Sequence, residues 1–123
     1  MTVEITQEFM MSMLGKSRTF TALVLRMTDK YDLNAAPDSD QRKTIWQHGK
    51  RNFELRASGV MPLVGPLLKP PYAGFAVFTV PPDEVERIMA EDPGVKAGYL
   101  TFETIPWRTF PGDALPADYY PPA

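Results

Sequence analysis

The sequence contains no cysteine and a single histidine among its 123 residues. Without cysteine the chain can form no disulfide bond and can offer no thiolate to a metal. Zinc sites of the usual kind are excluded as well, because they combine several cysteine and histidine side chains. The sequence therefore predicts a protein that works without a metal site or a bound cofactor.

Long apolar runs are also missing. No run approaches the roughly 18 residues that a membrane-spanning helix needs, so no membrane partner is expected. Glu4 and Glu8 stand where a secretory leader would carry basic residues. A cytoplasmic location is the resulting expectation.

Strong net charge and the common phosphate motifs are absent too. The formal net charge of −2 is too small to favour nucleic acid as a partner. The sequence has neither a glycine-rich phosphate loop nor a G-x-S-x-G nucleophile motif. These absences argue against a nucleotide-dependent enzyme and against a serine hydrolase of the α/β type.

Proline, by contrast, is abundant, with 13 residues concentrated in 61–93 and 106–122. Prolines at such positions separate short elements and stiffen a tail. The chain length fits one domain with an ordinary core. We therefore predict a single domain over 1–123, with its core at about 20–108 and a proline-rich tail at 110–123.

Hydrophobic periodicity divides the chain into helices and strands. Gly15, Gly59 and Pro93 provide the stops for three helical segments, and Pro82 suits the first turn of the third. Prolines 62 and 66 make the second strand an edge strand, whereas the first is apolar enough to be central. The predicted helices are 2–14, 41–58 and 82–92, and the predicted strands are 20–27, 60–68, 74–80 and 98–107.

After the extra N-terminal helix, the order β-α-β-β-α-β is typical of ferredoxin-like folds. The predicted fold class is α+β, with one antiparallel four-stranded sheet and both crossover helices on one face. The strands 74–80 and 98–107 carry apolar residues on both faces, so a second layer is expected. A second copy of the same sheet would provide that layer, which predicts a homodimer.

Three segments resemble the YciI-like (YCII-related) family of ferredoxin-like dimeric α/β-barrel proteins. The first is HGKRNFELRASG at 48–59, the second is VGPLL at 64–68, and the third is EDPGVKAGYL at 91–100, which leads to IPWR at 105–108. The similarity extends from Phe20 to about Arg108. The third segment is the most specific of the three. The occurrence of all three in order is stronger evidence for the resemblance than any one segment alone.

The resemblance implies a subunit that dimerises through its sheet and a pocket that holds a catalytic His–Asp pair. By position these residues are His48 and Asp92. It also implies a small-molecule ligand, often cyclic or aromatic, that is isomerised, cleaved by elimination or oxidised. The sequence departs from the family in its N-terminal helix, its loop at 29–40, its tail and Gly49, which replaces a larger apolar residue.

The residues of the pair also have independent interpretations. His48 shares a helical stripe with Ile45 and Asn52, which turns it toward the sheet, where it could act as an acid or a base near neutral pH. It could equally be a hydrogen-bonded helix residue at the surface. Asp92 follows the third helix, where the helix dipole disfavours a carboxylate. An unfavourable local choice can mark a site, although Asp–Pro pairs also begin ordinary turns.

Three further residues are predicted to bind substrate. Trp46 and Tyr99 could contribute aromatic surface to an apolar pocket, although aromatic residues more often belong to the core. Arg26 interrupts an apolar strand and could bind an anionic group, or could simply point outward at the strand end. Gly49 costs its helix roughly 1 kcal/mol relative to alanine, which suggests that another backbone or a ligand approaches it closely.

Two functions are compatible with these residues. One is a cofactor-independent lyase or isomerase that uses His48 and Asp92 on a small organic molecule. The alternative is a non-catalytic dimer that binds a small molecule or supports another protein, and the N-terminal helix and tail could themselves dock a partner. The distance between the imidazole and the carboxylate, and a cavity beside them, would separate these hypotheses.

Overall fold

The computed structural model describes residues 2–115 and shows an α+β fold. Part of the predicted tail, residues 116–123, lies outside the described residues. Four helices and one four-stranded antiparallel sheet make up the described chain. In chain order the elements are α1 (Gln7–Gly15), β1 (Arg18–Met27), α2 (Asp40–Ala57), β2 (Leu63–Pro66), β3 (Tyr72–Phe78), α3 (Pro82–Ala90), α4 (Pro93–Lys96) and β4 (Leu100–Thr109).

The strands are arranged in the order β2-β3-β1-β4. Strand β3 pairs antiparallel with both β1 and β2, with Leu23 opposite Ala76 in the first pairing and Val64 opposite Ala76 in the second. The predicted places of two strands are thereby confirmed, because β1 is central and β2 is an edge strand. Its proline, Pro66, occurs where a missing N–H does not interrupt a central ladder.

One face of the sheet forms the core with the helices. Leu23 and Phe78 on the strands pack with Val85 and Met89 of α3, and each of these side chains is at most 1% exposed. Burial of a large apolar side chain contributes roughly 1.5–3 kcal/mol, so this cluster holds the helices on the sheet. The half-buried Ile45 and Leu55 add α2 to the same cluster.

The other face of the sheet is apolar too. Alternation places Ala22 and Val24 of β1 on it, and the pairing register adds their partners Val77 and Phe75. Ala22 and Val77 are buried, whereas Val24 and Phe75 are half-buried. The predicted absence of a clean polar face is therefore confirmed for β3, one of the two strands for which it was predicted.

Helix α2 begins and ends close to its predicted bounds. The Ser39 hydroxyl accepts a hydrogen bond of 3.2 Å from the backbone N–H of Arg42, which satisfies a donor that the first turn leaves free. Gly59 follows the helix with a φ of +85°, a conformation that favours glycine. These signals are local, which explains why the sequence reveals them.

Helix α1 differs from its prediction in length. It begins at Gln7 rather than Thr2, because the Thr6 hydroxyl caps it by accepting a hydrogen bond of 3.1 Å from the N–H of Phe9. No residue of α1 is buried, and about half of the Phe9 and Met10 surface is exposed. The single chain therefore leaves these two apolar side chains about half exposed.

The described residues divide into two compact units. The first comprises 2–19 and 108–115 and contains α1. The second comprises Phe20–Trp107 and contains α2, α3, α4 and the core cluster described above. Among residues 2–115, no helix combines the length and the apolar character that crossing a bilayer requires.

Candidate functional site

Asp92 lies between two helices, and its position corrects the argument made from the sequence. Helix α3 ends at Ala90, and Asp92 is the N-cap of α4, so it does not belong to the unfavourable end of a helix. Its Oδ2 accepts hydrogen bonds from the N–H groups of Gly94 at 2.9 Å and Val95 at 3.2 Å. A carboxylate is stabilising at this end of a helix, although the residue is fully buried.

Gly94 has a steric reason to be glycine. A Cβ atom added there would lie 2.7 Å from Leu100 Cδ1 and 3.2 Å from Asp92 Oδ2. Leu100 belongs to the core cluster, so neither neighbour can move freely. The glycine therefore allows α4 to close on the core and on the Asp92 carboxylate at once.

We expect Gly94→Ala to destabilise the protein by roughly 1–3 kcal/mol, the usual cost of overpacking a core. Chemical denaturation would measure the change. Gly65→Ala is the matched control, because a Cβ added there meets nothing within 4 Å, and its unfolding free energy should stay close to that of the wild type. Equal stability of the two variants would contradict the steric argument.

His48 projects from α2 onto the Asp92 carboxylate. Its Nδ1 lies 2.8 Å from Asp92 Oδ1, and 13% of its side chain is exposed. The predicted proximity of the two residues is thereby confirmed, while their catalytic role stays a prediction. The other ring nitrogen, Nε2, lies 3.2 Å from the Asn52 amide nitrogen, which donates to it. In a neutral ring these partners place the hydrogen on Nδ1, facing Asp92, and leave the lone pair of Nε2 facing Asn52.

Arg51 supports the same carboxylate from a third direction. Its Nη2 donates to the Ile88 carbonyl at 2.7 Å, and its Nη1 lies 3.9 Å from Asp92 Oδ1. Within residues 2–115, the buried Nη1 has no hydrogen-bond partner. The guanidinium is therefore fixed on α3 and places positive charge beside Asp92.

Two opposing effects set the ionisation of Asp92. Burial acts to raise its pKa, but the hydrogen bond and charge of His48 and the N–H groups of Val95 and Gly94 act in the other direction and prevail. The net result is a pKa below the ordinary value of 3.8. Asp92 is thus a carboxylate near neutral pH and can keep the hydrogen of His48 on Nδ1.

A pocket of about 500 Å³ opens beside the pair, between α2 and the sheet. His48 borders it, whereas Asp92 does not line it, so the carboxylate acts on the pocket through the imidazole. The lining is mostly apolar, and its aromatic residues are Tyr31 and Phe53. The remaining lining residues are Leu25, Met27, Ile45, Gly49, Asn52, Arg56, Val64, Gly65, Pro66, Leu67, Ala73, Gly74 and Leu100.

The structure places the three predicted substrate-binding residues elsewhere, since none of them lines this pocket. Trp46 is 77% exposed on α2, and the guanidinium of Arg26 stacks on the Tyr72 ring at 4.6 Å from its centroid. Tyr99 packs against the core and is covered by the Lys30 ammonium, 4.7 Å from its ring centroid. Each side chain is thus engaged or exposed away from His48.

Sequence reasoning missed three polar residues of the site. The His48 stripe includes Asn52 but does not predict its hydrogen bond to the ring, and neither Arg51 nor Arg56 is among the residues predicted for the site. The four-residue spacing from His48 to Asn52 and Arg56 was the available signal. Across residues 2–115, no three or more His, Asp or Glu side chains converge as they would to hold a metal ion.

No protein-family model matches the chain, and no curated protein matches it in sequence.

Proposed function

We propose that the protein is a YciI-like lyase or isomerase that transfers protons on a small organic molecule without a cofactor. The observation that carries this proposal is the 2.8 Å contact between His48 Nδ1 and Asp92 Oδ1 at the wall of a 500 Å³ pocket. An imidazole that faces an apolar pocket and is oriented by a buried carboxylate has the form of a general base. The cytoplasmic location predicted from the sequence is part of the same proposal.

The chemistry follows from the two ring nitrogens. In the proposed reaction, His48 Nε2 takes a proton from a carbon of the ligand, and the electrons of the broken C–H bond remain on the ligand. In an elimination they form a C=C bond to the neighbouring carbon, and the leaving group departs from that carbon with the electrons of its broken bond. In an isomerisation they form a C=C bond to an adjacent unsaturated carbon, whose own double bond shifts by one position, and the imidazolium returns the proton to the far end. Asp92 stabilises the imidazolium that forms, because its carboxylate already accepts the Nδ1 hydrogen.

A test of this proposal does not require the natural product. Ligands are first selected from a metabolite set by the increase in melting temperature that binding causes. Each ligand is then incubated with the protein in D₂O, and mass spectrometry measures incorporation of deuterium at carbon. Enzyme-dependent incorporation supports proton transfer, and binding without incorporation or conversion of any ligand would refute it.

One observation favours the alternative of a non-catalytic binding protein. Asp92 has a structural use as the cap of α4, which by itself explains a buried carboxylate at this position. On that hypothesis His48 merely joins α2 to α4, and the pocket binds its ligand unchanged. The deuterium experiment separates the two functions, since only a proton-transfer enzyme labels its ligand.

For the fold, we propose the ferredoxin-like topology and a homodimer that pairs the helix-free faces of two sheets. The order β2-β3-β1-β4 supports the topology. The apolar Val24 and Phe75 support the dimer, because they lie half-buried on the face opposite to the core cluster. A stable interface of about 800 Å² per partner would cover most of such a sheet face.

We expect light scattering at micromolar concentration to give twice the mass of one chain. Phe75→Glu should shift the protein to the monomer, because the dimer would bury an unpaired carboxylate. Glu86→Gln on the outer side of α3 is the control, since Glu86 is exposed, and should remain dimeric. A wild-type monomer at these concentrations would contradict the proposed interface.

A further inference from the structure

The charge on the pocket lining is positive. Among the described residues 2–115 that line the pocket, Arg56 alone has a permanent charge, and none is an aspartate or a glutamate. The Asp92 carboxylate, which lies behind His48, already accepts hydrogen bonds from His48, Gly94 and Val95. An anionic ligand would therefore meet a cation and no opposing charge.

Arg56 is the cation that α2 contributes to the pocket lining. Within residues 2–115, no carboxylate forms an ion pair with it, whereas Arg51 is committed to the Ile88 carbonyl and to Asp92. A guanidinium presents a planar set of donors that matches the two oxygens of a carboxylate. The chemistry of Arg56 thus suits a carboxylate ligand better than a neutral one.

The helix also sets the distance between the cation and the base. His48, Asn52 and Arg56 follow one another at four-residue intervals and all line the pocket. Eight residues correspond to about 12 Å along a helix axis, and helical side chains lean toward the N-terminus, which brings the guanidinium closer to the imidazole. A ligand whose anionic group lies a few bonds from its reacting carbon would span this gap.

Gly49 provides room for the rest of the ligand. It lies four residues from both Ile45 and Phe53, which line the pocket with it, so a side chain at this position would enter the same space. A Cβ added at Gly49 meets no protein atom within 4 Å. The fold therefore has no steric need for glycine here, although glycine within a helix is less stable than alanine by roughly 0.5–1 kcal/mol.

From these observations we infer that the pocket binds a small, largely apolar carboxylate, with the anionic group on Arg56 and the apolar body against Gly49. The inference rests on the proposed function, because it names the substrate class for the base His48. Asn52 lies between the two ends and donates to His48 Nε2 when no ligand is bound. The ligand would take its place beside the ring.

Isothermal titration with phenylacetate and 3-phenylpropionate, each compared with its neutral amide, tests the inference. Both carboxylates should bind saturably and more weakly at higher salt, and the amides should bind at least about 10-fold more weakly. Arg56→Met should lower carboxylate affinity about 10-fold or more, and Arg56→Lys should restore part of it. Lys50→Met removes the same charge from an exposed position of α2 that does not line the pocket, and should leave affinity unchanged.

Gly49→Ala distinguishes binding inside the pocket from binding to the charge of Arg56 at the surface. Without ligand, the variant should melt at a higher temperature than the wild type, because alanine stabilises the helix. Its affinity for both carboxylates should nevertheless fall, because the methyl group occupies their space. Higher stability together with reduced binding is the signature of a residue kept for its ligand.

Several results would overturn the inference: saturable binding of neither carboxylate, equal binding of the amides, or equal losses in Arg56→Met and Lys50→Met. Unchanged affinity in Gly49→Ala would remove the assigned place of the apolar body. These failures are distinct from failure of the proposed function, because His48→Gln should abolish deuterium incorporation while carboxylate affinity persists. Carboxylate binding without incorporation in the wild type would sustain this inference and refute the enzyme.

Discussion

Asp92→Asn should lower turnover by about 10²–10⁴-fold, because it reverses the tautomer of His48. The asparagine amide can present an N–H₂ group to Nδ1, which lies 2.8 Å from the present carboxylate oxygen. Nδ1 would then have to accept a hydrogen bond from that amide, and the ring hydrogen would move to Nε2. The nitrogen that faces the ligand would no longer be a base.

The tautomer can be observed without any substrate. His48 is the single histidine in the sequence, so the ¹⁵N shifts of the imidazole in a labelled sample need no assignment. The wild type should show the hydrogen on Nδ1 and Asp92→Asn should show it on Nε2. Asp83→Asn alters an exposed carboxylate in the first turn of α3 and serves as the control, with the wild-type tautomer expected.

His48→Gln should reduce deuterium incorporation by a similar factor, since it removes the base itself. If incorporation persisted in His48→Gln, or if the ring of Asp92→Asn kept its hydrogen on Nδ1 with full activity, the pair would not be the catalytic unit. Lys50→Gln, on the exposed side of the same helix, should retain the activity of the wild type.

Asp92→Ala should have the largest effect on stability, about 3–5 kcal/mol of the free energy of unfolding. It leaves the N–H groups of Gly94 and Val95 and the His48 Nδ1 without their acceptor, and it leaves the Arg51 charge without its counter-ion. Urea unfolding would measure the loss. Glu91→Ala, which removes an exposed carboxylate one residue away, should change stability by less than about 0.5 kcal/mol.

The effect of Asp92 on stability should depend on pH with a definite sign. Its pKa in the folded protein is lowered from 3.8, although burial alone would raise it, because His48, Val95 and Gly94 favour the anion. The ionised carboxylate therefore stabilises the fold above the unfolded pKa, and this contribution is lost as the pH falls through the folded pKa. The stability difference between the wild type and Asp92→Ala should shrink as the pH falls from about 5 to about 2. A difference that grows toward acid pH would contradict this assignment.

The fold was largely predictable from the sequence because its signals are local. Continuous apolar residues identified β1 as central, and Pro66 identified β2 as an edge strand. Ser39 and Gly59 set the ends of α2 within a residue or two. Helix α4 escaped detection because four residues are too few to show a period, and its signals resemble those of a turn.

The site was less predictable because it is built from long-range contacts. The resemblance brought His48 and Asp92 together correctly, although the reason given from the helix dipole was wrong. Trp46 could have been rejected, because two residues of a helix correspond to a rotation of about 200°, which points it away from the His48 stripe. No sequence pattern could show that Arg51 donates to the Ile88 carbonyl of α3 whereas Arg56 lines the pocket.

The double use of Asp92 links the chemistry to a local unfolding equilibrium. Asp92 accepts from Gly94 and Val95 through Oδ2 and contacts His48 through Oδ1, so an opening of α4 that displaces the carboxylate would break all three contacts. Hydrogen exchange at these two amides therefore measures the fraction of molecules in which His48 has lost its contact with Asp92. A ligand that requires the oriented imidazole should slow exchange at these amides, although neither residue lines the pocket. The fraction of molecules in which Asp92 orients the imidazole is then set by the free energy of opening α4.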